Sequence, residues 1–90
     1  MEEEKRERLR VEIRNQIKYM RRHIKTLKRV MNGNDMSKIS DSAYRYNATM
    51  YLLKKYLKEL KEFDNLSNRE QEIIDIAEDL IANAWLRLNN

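Results

Sequence analysis

Basic side chains recur along the first third of the chain at spacings that place them on one side of a helix. Residues 1–32 contain eleven Lys or Arg against five Glu, a net charge of +6. Eight of the basic residues share one flank of this helix: Arg10, Arg14, Lys18, Arg21, Arg22, Lys25, Lys28 and Arg29. A row of cations about 30 Å long is typical of a surface that binds an anionic partner, such as a nucleic-acid backbone or an acidic protein.

This basic face has a second interpretation, in which it is solvated or paired within the chain. Residues 65–90 carry a net charge of −3, and an acidic third helix would attract a basic first helix. The acidic residues that could pair with the face are Glu70, Glu72, Asp75, Glu78 and Asp79. The sequence leaves both interpretations open.

A second group of residues falls on one face of the middle segment and combines aromatic with basic side chains. Its members are Tyr44, Asn47, Tyr51, Lys54, Lys55 and Lys58. Exposed tyrosines beside lysines are typical of a protein interface or of a platform on which bases stack. The alternative is that the third helix covers both tyrosine rings.

The residue types on which most enzymes depend are scarce. The chain has one His, one Gly and no Cys. It therefore lacks the residues for a thiol enzyme, a zinc ribbon or a glycine-rich phosphate loop. His23 stands alone on a helix flank, where a packing or surface role is the commoner one. We expect no catalytic activity, no cofactor and no metal site.

The elements that position these residues are helices. Apolar residues recur at steps of three and four in three segments, and period-two alternation is absent. The pattern predicts an all-α fold, an antiparallel three-helix bundle in one domain, residues 1–90, with long amphipathic helices. We expect these helices at about 2–32, 39–63 and 67–88.

Turn and capping residues mark the helix ends. Residues 32–35 read Asn-Gly-Asn-Asp, so we expect Gly33 to end the first helix in a left-handed conformation. Ser37, Ser40 and Asp41 compete as the N-cap of the second helix.

The third helix and the first helix are predicted to begin differently. Ser67 followed by Glu70 predicts a capping box at the start of the third helix. The tip of the first helix, before Leu9, is rich in charge and has nothing to bury. We expect this tip to protrude or fray.

The apolar faces of the second and third helices are wider than a monomeric three-helix bundle usually needs. We therefore expect a homodimer formed through these two helices, although a tightly wrapped monomer with a few exposed apolar residues is the alternative. The residues assigned to this dimer or core face are Leu52, Tyr56, Phe63, Ile74, Ile81 and Trp85.

These observations favour a small non-catalytic binding protein. We expect a regulator or inhibitor of the kind found in phages and mobile elements, which docks its basic face on a host protein or nucleoprotein with an acidic surface. Direct DNA or RNA binding by the same face is the alternative, and a structural homo-oligomer is the third. The chain has neither an apolar run of membrane-spanning length nor a signal-like N-terminus. We expect a cytoplasmic location (host cytoplasm for a viral protein) and no membrane partner.

Overall fold

The computed structural model describes residues 1–89, which form three α-helices. They are α1 (Glu2–Gly33), α2 (Met36–Lys61) and α3 (Asn68–Asn89). Residues 1–89 contain no strand, so the prediction of an all-α fold with three helices is confirmed. The molecule is elongated, with dimensions of 47 × 22 × 15 Å. The predicted domain range includes Asn90, which lies outside the described residues.

One side of α1 supplies the longest row of the hydrophobic core. Its buried apolar residues follow one another at steps of three or four: Leu9, Ile13, Ile17, Met20, Ile24 and Leu27. This spacing keeps them on one stripe of the helix. Most contacts between helices join α1 to α2, fewer join α1 to α3, and α2 and α3 touch each other least. Both α2 and α3 therefore pack against the apolar stripe of α1.

The other two helices complete the core. The buried apolar residues of α2 are Leu53, Leu57 and Leu60, and those of α3 are Ile73, Ile74, Ala77, Leu80, Ala84 and Leu88. In the first half of α2 the apolar residues that continue this row are only partly buried, at Ile39, Ala43, Tyr46 and Met50. The second half of α2 therefore carries the tighter packing.

The turn between α1 and α2 differs from the prediction by one residue. Gly33 is the last helical residue, and Asn34 takes the left-handed conformation, with φ 57°. Asn visits this region more readily than most residues because its short polar side chain bonds locally. Asp35 is then the N-cap of α2, accepting the Lys38 N–H at 3.2 Å. α2 therefore starts three residues before the predicted position, and the three predicted N-cap residues lie inside it.

The connection between α2 and α3 is short and well capped. α2 ends at Lys61, two residues before the predicted end, and Asn65 turns the chain with φ 55°. Ser67 Oγ accepts the N–H of Glu70 at 3.1 Å. The Ser67 N–H donates to Glu70 Oε1 at 2.9 Å. This is the predicted capping box, and it satisfies backbone donors that the first turn of α3 would leave unpaired.

Candidate functional site

Most of the predicted basic face is open to solvent. Six of its residues are exposed, Arg14, Lys18, Arg21, Arg22, Lys25 and Arg29, and Lys28 is half-buried. Within residues 1–89, none of these seven side chains forms an ion pair. Two acidic residues of α3 have other partners, since Glu78 pairs with Lys61 and Asp75 accepts a hydrogen bond from Gln71. The face therefore presents cations that lack a partner in the described part of the chain.

Arg10 is the exception, because its guanidinium is already occupied. Its Nη1 lies 2.9 Å from Glu70 Oε2, and its Nη2 lies 3.3 Å from Glu3 Oε1. Within residues 1–89, Arg10 is the one member of the predicted basic face that pairs with an acidic residue of α3, which is what the second interpretation of the face expects. The assignment of Arg10 to a partner-binding surface is therefore corrected to a role inside the fold.

Glu70 is the buried centre of a small ionic cluster. Its side chain is 1% exposed, and it accepts hydrogen bonds from Arg6 Nε at 3.1 Å, from Arg6 Nη2 and from Arg10 Nη1. The bonds from Arg6, with those from Ser67 and Arg10, lower the pKa of Glu70 to about 2. A carboxylate that is fully satisfied in this way has no free oxygen for a substrate or a metal ion. The cluster fastens the start of α1 to the start of α3.

The tip of α1 is therefore held in place instead of protruding. Arg6 also donates to the carbonyl of Asn65 at 3.3 Å, and its guanidinium lies 5.5 Å from the ring centre of Phe63. Lys5 Nζ lies 5.8 Å from the same ring. The expectation that this tip protrudes or frays is wrong, because two of its cations, Lys5 and Arg6, contact the loop between α2 and α3. The sequence signal for this ionic cluster is the pair Arg6 and Arg10, spaced four residues apart on α1, together with the glutamate of the capping box on α3, Glu70.

The basic face borders a groove between α1 and α3. This groove has a volume of about 570 Å³ and is lined by Arg14, Ile17, Lys18, Arg21, Arg69, Glu72, Ile73 and Ile76. Ile17 and Ile73 are buried, and Ile76 is 41% exposed. The groove therefore combines an apolar floor with a rim on which four cations outnumber one carboxylate.

A second depression continues this basic surface toward the other end of the molecule. It is lined by Arg21, Ile24, Lys25, Lys28 and Arg87 and has a volume of about 430 Å³. No acidic residue of the described chain is among its lining residues. Sequence reasoning did not assign Arg69 or Arg87 to the basic surface. They are 18 residues apart, which is five helical turns and returns them to the same side of α3.

Two members of the predicted face, Arg22 and Arg29, are seven residues apart and lie at the edge of the face nearer to α2. Arg29 borders a depression formed with Ser37, Asp41 and neighbouring residues of α2. Arg22 acts electrostatically on His23, whose pKa is lowered first by burial and then by the charges of Arg45 and Arg22. The cations of α1 therefore divide between the α3 side and the α2 side.

The aromatic and basic group on α2 is exposed. Tyr44 is 74% exposed and Tyr51 is 67% exposed, so the alternative that the third helix covers both rings is wrong. Asn47, Lys54, Lys55 and Lys58 are exposed as well. A groove of about 530 Å³ lies between α2 and α3, lined by Lys54, Leu57, Lys58, Lys61, Glu62, Glu78, Ile81 and Ala82.

The residues assigned to a dimer or core face divide between the core and the surface. Ile74 belongs to the core, Tyr56, Phe63 and Ile81 are partly buried against it, and Leu52 is half-buried. Trp85 is different, with 70% of its surface exposed. An exposed indole is an unusual use of the largest apolar side chain, and with the exposed Leu86 it marks an apolar surface on the outer side of the last two turns of α3.

Between residues 1 and 89, no group of three or more Asp, Glu or His side chains is arranged to hold a metal ion. None of the described helices combines the length and the apolar character needed to cross a bilayer. Comparison with protein-family models, with curated proteins and with solved structures found no match.

Proposed function

We propose that this chain is a small non-catalytic binding protein that docks an acidic partner on the basic surface between α1 and α3. The observation that supports this most is the set of cations along the two depressions that form no ion pair within residues 1–89, with Arg14, Lys18 and Arg21 at one end and Lys25 and Arg87 at the other. Leaving like charges side by side costs stability, and an acidic partner would relieve that repulsion. The role suits a regulator or inhibitor that occupies an acidic surface of another protein.

An acidic helical segment fits the groove better than a bare phosphate backbone does. Ile76 is 41% exposed and, with the buried Ile17 and Ile73 beside it, gives the groove an apolar floor, which an amphipathic helix can use and a phosphate cannot. Glu72 on the rim would repel phosphates. Direct binding of DNA or RNA is therefore the second candidate, supported by the length of the cationic row alone.

We infer that the three helices run up-down-up, with neighbouring helices antiparallel. Three contacts support this order. Arg6 near the start of α1 meets Glu70 near the start of α3, and Lys5 lies over Phe63 just after the end of α2. Lys61 at the end of α2 meets Glu78 in the first half of α3.

The experiment measures binding of a labelled amphipathic peptide with Glu and Leu at helical spacing, and of a short DNA duplex, by fluorescence anisotropy. We expect the peptide to bind and the double reversal Arg21→Glu with Lys25→Glu to weaken it about tenfold or more. The matched control reverses Arg8 and Lys38, which are exposed and lie off the two depressions. Both variants change the net charge equally, so only a site effect separates them.

A salt series distinguishes the two candidates. Duplex binding that falls with a log–log slope of about −0.9 per neutralised phosphate, without peptide binding, would favour the nucleic-acid function. If neither double reversal changes the binding of the peptide or of the duplex, a purely structural oligomer is favoured.

A further inference from the structure

We propose that the face formed by α2 and α3 binds single-stranded nucleic acid, with aromatic rings that stack on unpaired bases and lysines that hold the phosphates. The rings are Tyr44, Tyr51 and Trp85, and the lysines are Lys54, Lys55 and Lys58. The groove between these two helices shares no lining residue with the two depressions of the basic surface. Binding at this face is therefore separate from the docking of an acidic partner between α1 and α3.

Three aromatic side chains are left exposed along the α2–α3 face. Tyr44 is 74% exposed and Tyr51 is 67% exposed, and they are two turns apart on one side of α2. Tyr51 precedes Lys54, which lines the groove, by about one turn. On α3, Trp85 is 70% exposed and follows the groove-lining Ile81 by about one turn. The three rings therefore continue the groove beyond its lining residues, with most of their surface uncovered.

Lysines lie beside these rings. Lys54, Lys55 and Lys58 are exposed and follow Tyr51 by one to two turns on the same side of α2. Within residues 1–89, none of the three forms an ion pair. Their ammonium groups can therefore contact phosphate oxygens while a neighbouring base meets the tyrosine ring.

The stretches that carry these residues contain no acidic side chain. Residues 42–58 hold four basic residues and no Asp or Glu, and residues 80–89 hold one basic residue and no Asp or Glu. Asp41, just before the first stretch, is paired with Arg45 at 3.3 Å. The charge of this part of the face therefore complements a polyanion.

The opposite end of the groove has a different character. Glu62 and Glu78 line it, and Lys61 pairs with Glu78 at 2.8 Å. In the described part of the chain Glu62 has no ion-pair partner, so a phosphate at this end would meet an uncompensated carboxylate. We therefore expect the strand to occupy the aromatic part of the face and to stop before the end of α2.

The spacing of the tyrosines matches a single strand. Tyr44 and Tyr51 are about 10 Å apart along the helix axis, which is about three times the spacing of successive nucleotides in a stacked strand. The two rings therefore contact separate bases of an extended strand. The bases of a duplex are covered by their neighbours, whereas unpaired bases can be splayed onto side chains.

The neighbours of the rings favour nucleic acid over a protein partner. Tyr and Trp are common in both kinds of interface, but Lys is depleted at the centre of protein interfaces. Here Lys54 and Lys55 lie about one turn from Tyr51, and the apolar lining residues Leu57 and Ile81 are buried and half-buried. The exposed part of the face therefore consists mainly of aromatic rings and cations, the combination with which proteins bind single strands.

The emission of Trp85, the only tryptophan of the chain, reports directly on stacking. We expect titration with an oligothymidylate DNA of about 16 nucleotides to quench this emission, because a base stacks on the indole ring. A duplex of the same length, at the same salt and nucleotide concentration, should leave the emission nearly unchanged. This comparison separates unpaired bases from phosphate charge.

Replacing a ring tests stacking without a change of charge. Tyr44→Ala, Tyr51→Ala and Trp85→Ala should each weaken binding of the labelled oligothymidylate, measured by fluorescence anisotropy, about tenfold. The matched control is Tyr19→Ala, because Tyr19 is an exposed tyrosine of α1 that does not line this groove. Circular dichroism should be the same in all four variants, since each ring is exposed.

Replacing lysines tests the phosphate contacts. Lys55→Gln with Lys58→Gln should reduce the log–log dependence of affinity on salt by about 1.4, at about 0.7 per phosphate of a single strand. The control, Arg8→Gln with Lys38→Gln, changes the net charge equally at exposed positions outside the face. It should keep the wild-type slope.

Several results would overturn the proposal. One is an absence of quenching at low salt, or equal quenching by the duplex. Another is a set of ring variants that bind as tightly as Tyr19→Ala. Emission of Trp85 that shifts with protein concentration and not with oligonucleotide would assign the face to a second copy of the chain. Loss of oligonucleotide binding only in the double reversal of Arg21 and Lys25 would place the strand on the basic surface between α1 and α3.

Discussion

Replacing the buried carboxylate of Glu70 by the isosteric amide, Glu70→Gln, should destabilise the protein substantially at neutral pH. Gln retains the shape of the capping side chain, since capping boxes use either residue. It loses the charge that accepts hydrogen bonds from Arg6 and Arg10. The substitution therefore isolates the ionic part of the cluster.

The magnitude follows from the pKa of Glu70, which falls from 4.5 to about 2. Each unit of pKa corresponds to about 1.4 kcal/mol, so the shift is equivalent to about 3 kcal/mol at neutral pH. The side chains of Arg6 and Arg10 are 14% and 21% exposed, and water screens the cluster from their side. We therefore expect a loss of about 2 kcal/mol, or a fall of roughly 10 °C in Tm for a domain of this size.

The pH dependence has a definite sign. A carboxylate whose pKa is lower in the folded state stabilises the fold above its unfolded pKa, and this contribution disappears as the pH falls toward its folded pKa. The contribution of Glu70 to the free energy of unfolding of the wild type should therefore be fully present near neutral pH and decline between about pH 5 and pH 2. The Gln variant has no carboxylate at this position, so its stability should decline less over that range.

Urea unfolding followed by circular dichroism at pH 7 and pH 3 measures both effects. The matched control is Glu78→Gln, which removes an exposed ion pair with Lys61 and should cost at most about 1 kcal/mol. Equal losses in the two variants, or the same decline with pH in wild type and Glu70→Gln, would refute the assignment of Glu70 as the centre of the cluster.

Three further substitutions test the helix ends and the core by thermal unfolding. Gly33→Ala should raise stability by about 0.5 kcal/mol, because Gly33 is helical and an added Cβ meets nothing within 4 Å; a loss would contradict the helical assignment. Asp35→Ala should cost about 1 kcal/mol, because the Lys38 N–H loses its acceptor; no change would place the N-cap elsewhere. Leu60→Ala removes a fully buried side chain and should cost about 2–5 kcal/mol, whereas the exposed Met36→Ala should stay within about 0.5 kcal/mol.

Local patterns in the sequence were sufficient for the helices and for most of the basic face. Apolar spacing, the capping box at Ser67 and the cationic flank of α1 all depend on residues within two turns of one another. Such patterns are read along one helix without knowledge of its neighbours. The helix ends were predicted less closely, because Asn34 as well as Gly33 can adopt the left-handed conformation and the N-cap of α2, Asp35, was not among the three residues predicted for it.

The tertiary structure decided which charged residues face which neighbours. It paired Arg10 with Glu70, added Arg69 and Arg87 to the basic surface, and turned Arg29 toward α2. It also left Trp85 and Tyr51 exposed at the end of the groove between α2 and α3. These outcomes depend on the rotation and register of one helix against another, which side-chain packing and loop length set together. A sequence determines which face of a helix is charged, and the packing of the three helices determines what that face can reach.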